Sequence, residues 1–163
     1  MLDMIKTRRS VRKFKPDPMS DKDIRDLLEA AMNAPSAINE QAWQFVVMSG
    51  KVLDEYLSIN RNTPKSAPVA ILVCQDLSAE KAKGYSVQDC AAATQNILLA
   101  AHAKSLGAVW TTVFPNNVAA TRALLKIPDT VLPFSCVPVG VPAEGTRDTA
   151  SRFDEKKVHR QTW

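Results

Sequence analysis

The chain has 163 residues, 45% of them hydrophobic and 23% charged, with 21 basic and 17 acidic side chains for a net charge of +4. That length predicts one domain over residues 1–163, able to bury a core without disulfides, and that composition excludes a disordered chain. No apolar run approaches the roughly 18–20 residues of a membrane span and the start lacks a secretory leader, so a soluble cytoplasmic protein is expected.

In chain order, the first feature is a basic run. Residues 6–15 (Lys-Thr-Arg-Arg-Ser-Val-Arg-Lys-Phe-Lys) hold six cations and no anion, which leaves 15 basic residues (21 less 6) against 17 acidic elsewhere. The basicity is therefore local and points to one anion site, not to a surface that coats nucleic acid. Ser20-Asp21-Lys22-Asp23 is a capping-box-like helix start with Asp in place of Glu; Ile24, Leu27, Leu28 and Ala31 follow at helical spacing, and Pro35 stops the pattern. Trp43 to Met48 reads as a strand ending at Ser49-Gly50, and Val52 to Ile59 as a short amphipathic helix. Pro64 and Pro68 bracket a loop before Val69–Cys74, a continuous apolar run suited to a strand buried on both faces.

The longest predicted helix runs from Ser86 to Ser105, with Gly107 as its stop. Its many alanines permit close approach by other helices, which places it centrally or at a subunit interface. Ala108–Phe114 is a predicted strand, Val118–Lys126 a short helix, Phe134–Val141 a last buried strand, and the stretch from Ala143 to Trp163 a polar tail. Cys74, Cys90 and Cys136 are scattered, without C-x-x-C, and fit reduced buried thiols; no ligand cluster surrounds His102 or His159, so no metal is expected. Glycine is too sparse for a phosphate loop of the G-x-G-x-x-G or Walker type, so any nucleotide is bound otherwise.

Three separated segments suggest a phosphorylated, planar cofactor. Arg8-Arg9-Ser10-Val11-Arg12 offers guanidinium forks matched to phosphate oxygens, with a hydroxyl between them. Ala34-Pro35-Ser36-Ala37-Ile38-Asn39-Glu40-Gln41-Ala42-Trp43 is a post-helical loop presenting hydroxyl, amide and indole groups, suited to heterocycle edges and sugar-like hydroxyls. The tail adds Arg152, Lys156 and Lys157. Each has a bland alternative: a solvated arm, a loop entering a strand, a frayed end.

The order R-R-S-x-R, then P-S-A-x-N-x-Q-x-W, then a small-residue helix closing in Ser105-Leu106-Gly107-Ala108-Val109-Trp110, then V-P-V-G-V-P and a final V-H-x-x-x-W resembles the FMN-dependent nitroreductase family across essentially the whole chain. The resemblance implies an α+β fold, a mostly antiparallel central sheet flanked by helices, in an intertwined homodimer with FMN at the subunit interface. It implies that Arg8, Arg9, Ser10 and Arg12 hold the phosphate and ribityl chain, with Arg152 completing the phosphate site from the tail. Ser36, Asn39 and Gln41 would approach the flavin, Pro35, Ser36 and Ala37 reaching it across the dimer, and Thr111 and Thr112 would lie beside the ring. NADH or NADPH would donate hydride and a small acceptor, such as a nitroaromatic or quinone, would take it. The flavin would carry the chemistry, which agrees with the lack of a Ser-His-Asp, Cys-His or paired-carboxylate arrangement. The chain departs from many members at Ala42, where they have proline, and at Thr111-Thr112-Val113-Phe114, where they have a glycine close after the position of Trp110.

Other residues are read from their context. Trp43 is expected in the core, Trp110 either beside the ring or packed, and Tyr85 and Phe114 bordering a substrate pocket. Cys90 would face the dimer seam, and His159 would make a structural hydrogen bond. Competing functions are a specialised enzyme of the same fold (a reductive dehalogenase or a flavin-consuming enzyme) and, from another class, a nucleic-acid-binding module using the basic arm.

Overall fold

The computed structural model describes residues 2–145 and 151–163. Five helices, α1 (Leu2–Thr7), α2 (Asp21–Met32), α3 (Gly50–Ile59), α4 (Ser86–Ala103) and α5 (Val118–Leu125), surround strands β1 (Trp43–Ser49), β2 (Val69–Asp76), β3 (Gly107–Ala108), β4 (Thr111–Thr112) and β5 (Val131–Gly140). The sheet runs β1-β2-β5-β3, with β4 also on β5, and every strand pairing is antiparallel. This is the α+β architecture expected from the sequence.

β2 is apolar on both faces because both are covered. Val69, Ile71 and Val73 pack with Leu27 and Ala31 of α2 and with Cys90, Ala93 and Ile97 of α4. Ala70, Leu72 and Cys74 face the other way, against Leu53, Tyr56 and Leu57 of α3, with Val118, Leu124 and Leu125 of α5 beyond. Trp43 is buried in the first cluster, as expected. Cys90 corrects an expectation: its thiol donates to the Cys74 carbonyl at 3.5 Å, toward the sheet and not toward a seam. Burial pushes the thiols of Cys74, Cys90 and Cys136 up to about 12, so all three stay protonated.

Three boundaries differ from the sequence reading, each for a local reason. The strand expected over 108–114 is interrupted at Val109–Trp110, although β3 and β4 meet β5 in one continuous register. Val109 there lies opposite Pro138, which accepts from the Val109 amide but has no N–H to return. β5 starts at Val131, earlier than expected, and tolerates Pro133 at the register shift where Phe134 is the extra residue. Finally, α4 is closed by Ser105 in the left-handed conformation (φ 59°), not by Gly107. Gly107 serves a different contact: a Cβ there would stand 2.6 Å from Val11 Cγ1.

That contact seats the basic segment. Ser10 bridges to Ala108, the Val11 amide donates to the Ala108 carbonyl at 3.0 Å, and Phe14 bridges to Pro142. The Lys15 amide donates to Val141, the Ala143 amide to Lys13, and Lys13 Nζ meets Glu144 Oε1 at 2.6 Å. Residues 10–15 thus lie along the sheet edge and its extension.

α2 starts where Ser20 Oγ accepts from the Asp23 amide at 3.0 Å. The Asp23 carboxylate takes Ser20's own hydroxyl and Lys104 Nζ, where a capping box would send it to the Ser20 amide. Lys104 also meets Asp26 Oδ2 at 2.5 Å, tying the end of α4 to α2. The hydrogen bonds from Lys104 and then Lys22 hold the Asp26 carboxyl at about 2, below the ordinary 3.8, and Ser20 and Lys104 lower Asp23. A carboxyl depressed on folding stabilises the fold above its unfolded pKa and loses that contribution as pH falls through the folded value. Stability should therefore fall between roughly pH 4 and 2 more steeply in the wild type than in Lys104→Met. Urea midpoints across that range test this; parallel profiles would show the clamp to be idle.

Candidate functional site

The arginines of the two chain ends converge. Arg8, Arg9 and Arg152 line one cavity of about 550 Å³ together with Ile5, Lys6, Gln95, Ser151 and Phe153. Among the described residues of that wall stand four cations and no carboxylate, and the volume lies within the ~300–1,000 Å³ of small-molecule sites. Burial, then the like charges of Arg152 and Arg9, lower the Arg8 pKa. Arg8 Nη1 is buried and has no hydrogen-bond partner among the described residues. Such a group is costly unless something outside the described chain satisfies it, and an anion is the chemically matched partner. Arg9 is differently placed: its Nη1 donates to the carbonyls of Lys6 and Arg8, fixing the turn at the end of α1.

Sequence reasoning missed α1 and with it Ile5 and Lys6 of the cavity. It also missed Gln95, whose only signal is an amide amid the alanines of α4, and Ser151 and Phe153 flanking Arg152. Ser10 and Arg12 are exposed and stand outside the cavity wall.

The loop before β1 forms a second locus. Ile38, Asn39 and Gln41 all have positive φ, at 47°, 57° and 54°. For a β-branched residue this is a backbone outlier, and Ile38 is also 73% exposed. The Ser36 hydroxyl accepts from the Gln41 amide at 3.1 Å, and Asn39 Oδ1 accepts from Gln41 Nε2 at 3.3 Å. Asp89 Oδ1 accepts from the Ala37 amide at 3.0 Å, and Glu40 Oε2 from the amides of Lys81 and Ala82 at 2.6 and 2.9 Å. Pro35, Ser36, Ala37, Asn39 and Gln41 lie outside the arginine cavity. Both loci border α4, where Asp89 and Gln95 are six residues, or about 9 Å of helix rise, apart.

Thr111 turns inward. Its hydroxyl donates to the Cys136 carbonyl at 2.9 Å and meets Thr63 Oγ1 at 3.2 Å. Thr112 is exposed, and its carbonyl accepts from Asn62 Nδ2 at 2.8 Å. Trp110 packs edge-on against Phe134 with centroids 5.7 Å apart, while Tyr85 and Phe114 are exposed. His159 stacks on Trp163 with ring centroids 4.2 Å apart. Among the described residues no group of three His, Cys, Asp or Glu could hold a metal, and no helix is long and apolar enough to cross a membrane.

A five-stranded antiparallel sheet with helices on both faces, and a cavity lined by cations from both early and late segments of the chain, define an α+β protein whose cavity is chemically matched to an anion. A model of the Nitroreductase family matches residues 5–67 and 55–141, and the chain belongs to that family of oxidoreductases. It is 46% identical over its full length to a protein of Methanothermobacter thermautotrophicus named NADH dehydrogenase/NAD(P)H nitroreductase, covering 87% of that protein. Among solved structures, it matches an FMN-dependent nitroreductase of Clostridium difficile with a TM-score of 0.90, 26% identity and full coverage of both chains. A nitroreductase of Desulfovibrio desulfuricans in complex with FMN gives a TM-score of 0.87 and 32% identity, over 99% of this chain and 96% of the other.

Proposed function

We propose that this protein is a cytoplasmic, homodimeric FMN oxidoreductase that takes hydride from NADH or NADPH and reduces a small acceptor, of which nitroaromatics and quinones are the leading classes. The observation that carries the reading is the unpartnered Arg8 Nη1 in a cavity shared with Arg9 and Arg152. These residues fit FMN: a phosphate would satisfy the buried guanidinium and neutralise the clustered cations, while Ile5 and Phe153 supply apolar wall and Gln95 an amide. When bound, FMN supplies a redox ring that accepts and passes on a hydride.

The chain's own residues bind, orient and stabilise charge. Arg8, Arg9 and Arg152 hold the phosphate, with Ser10 and Arg12 toward the ribityl chain. Ser36, Asn39 and Gln41 meet the ring edge, and Pro35, Ser36 and Ala37 reach it from the second subunit. Thr112, with the backbone of Thr111, borders the ring. Cations and donors placed near the ring stabilise negative charge that develops on reduction. A homodimer, each chain of residues 1–163 folded as one domain, would cover the exposed apolar side chains of Leu2, Ile5, Ile38, Phe153 and Trp163.

Purified protein should be yellow, elute as a dimer, and release FMN rather than FAD on denaturation. A colourless protein that FMN cannot reconstitute would overturn the reading. Binding to DNA that weakens steeply with salt, without a chromophore, would favour a nucleic-acid module instead.

A further inference from the structure

We propose that Asp89 is a positioning residue whose carboxylate locks the 36–41 loop in its left-handed conformation and so presets the loop for the cofactor. The inference rests on the reading of that loop as cofactor-facing, but its first observable does not.

The loop contains three non-glycine residues at positive φ within four positions, including a β-branched one with its side chain in solvent. Asn39 tolerates that conformation but an exposed isoleucine does not favour it, so contacts beyond Ile38 must impose it. Among the described residues two side-chain contacts tie the loop to other segments, Glu40 on the amides of Lys81 and Ala82 and Asp89 on the amide of Ala37, beside the internal Ser36–Gln41 and Asn39–Gln41 bonds. The Asp89 bond immediately precedes the strained run, comes from a rigid helix, and is made by a side chain only 5% exposed.

Asp89 is not the side chain that takes the free amides at the entry to its own helix. The amides of Gly84 and Ser86 at the entry to α4 are taken by Glu80 Oε1, at 2.9 and 3.1 Å. Asp89 Oδ2, meanwhile, is buried without a partner. A carboxylate retained in the interior with one oxygen unsatisfied is unfavourable for stability alone, so the work of Oδ1 on the loop is the reason to keep it. Asparagine could replace that oxygen; alanine could not.

Four proteins decide the matter: wild type, Asp89→Ala, Asp89→Asn, and Asp89→Ala combined with Ile38→Gly, glycine being the residue that adopts positive φ freely. The first readout is amide hydrogen exchange at Ala37 and Gln41 in flavin-free protein; the second is the Kd for FMN added to the same samples. Asp89→Ala should speed exchange at those amides and weaken FMN binding, each about tenfold, with the core strands still protected. Asp89→Asn should recover most of both, and Ile38→Gly should recover FMN binding in the alanine background. If Asp89→Ala does not fold, Asp89→Ser takes its place, since it shortens the side chain while filling more of the space.

Unchanged exchange at Ala37 and Gln41 overturns the proposal, as does faster exchange with unaltered FMN affinity. Failure of Asp89→Asn to recover either quantity shows that charge, not the Ala37 bond, was responsible and also overturns it. If the wild type itself binds no FMN, the functional reading fails, while the exchange measurement still decides whether Asp89 holds the loop.

Discussion

Arg8→Met is expected to raise the melting temperature of the flavin-free protein while weakening its hold on FMN by roughly 10- to 100-fold, the worth of one charge-assisted hydrogen bond. The two effects share a cause. Without an anion, Arg8 is a partly buried cation facing Arg152 and Arg9, with Nη1 unpartnered. Methionine keeps most of the apolar stem and removes the desolvated charge, so the empty protein gains. With phosphate present the same cation forms the contact that methionine cannot. Arg152→Met should act in the same sense, and the double variant should lose less than the sum, because both cations address one anion. Differential scanning fluorimetry with and without FMN reads both quantities. A lower melting temperature in the empty variant would mean that Arg8 has a structural partner; an unchanged FMN affinity would remove it from the phosphate site.

Gly107→Ala should destabilise the fold by about 1–3 kcal/mol, the usual cost of forcing a methyl into filled space. A Cβ at that position would lie 2.6 Å from Val11 Cγ1 and 2.8 Å from Val11 Cβ, so rotating the valine is insufficient and the backbone must move. The backbone in question is the segment that Ser10 and Val11 fasten to Ala108, immediately after Arg8 and Arg9. The substitution should therefore lower the urea midpoint and FMN affinity together. Val11→Ala in the same chain deletes both γ carbons and should recover part of each. A neutral Gly107→Ala would show that the segment is not pinned there.

How much of this was legible in the sequence follows from what each residue packs against. β2 was readable because a strand covered on both faces needs apolar residues throughout, and Val69–Cys74 carries that requirement in its composition. α2 was readable from its cap and its single apolar stripe. α1 was not: it buries none of its residues, so Leu2 and Ile5 leave no periodic imprint beside the basic run that follows. The break between β3 and β4 was hidden for a different reason, since its cause is Pro138 on the neighbouring strand. The arginines of the cavity were legible as chemistry, and the structure places Arg8, Arg9 and Arg152 around one volume. Asp89 was invisible as a functional candidate, because an acid in the first turn of a helix is ordinary and only its partner on a distant loop sets it apart.

The cavity draws its cations from residues 6, 8, 9 and 152, so a phosphate held there fastens together two segments far apart along the polypeptide. Whatever fills it acts as a clasp: occupancy should shield the segments around residues 5–9 and 151–153 from proteases, and nicking either one should disarm the protein while leaving its sheet folded.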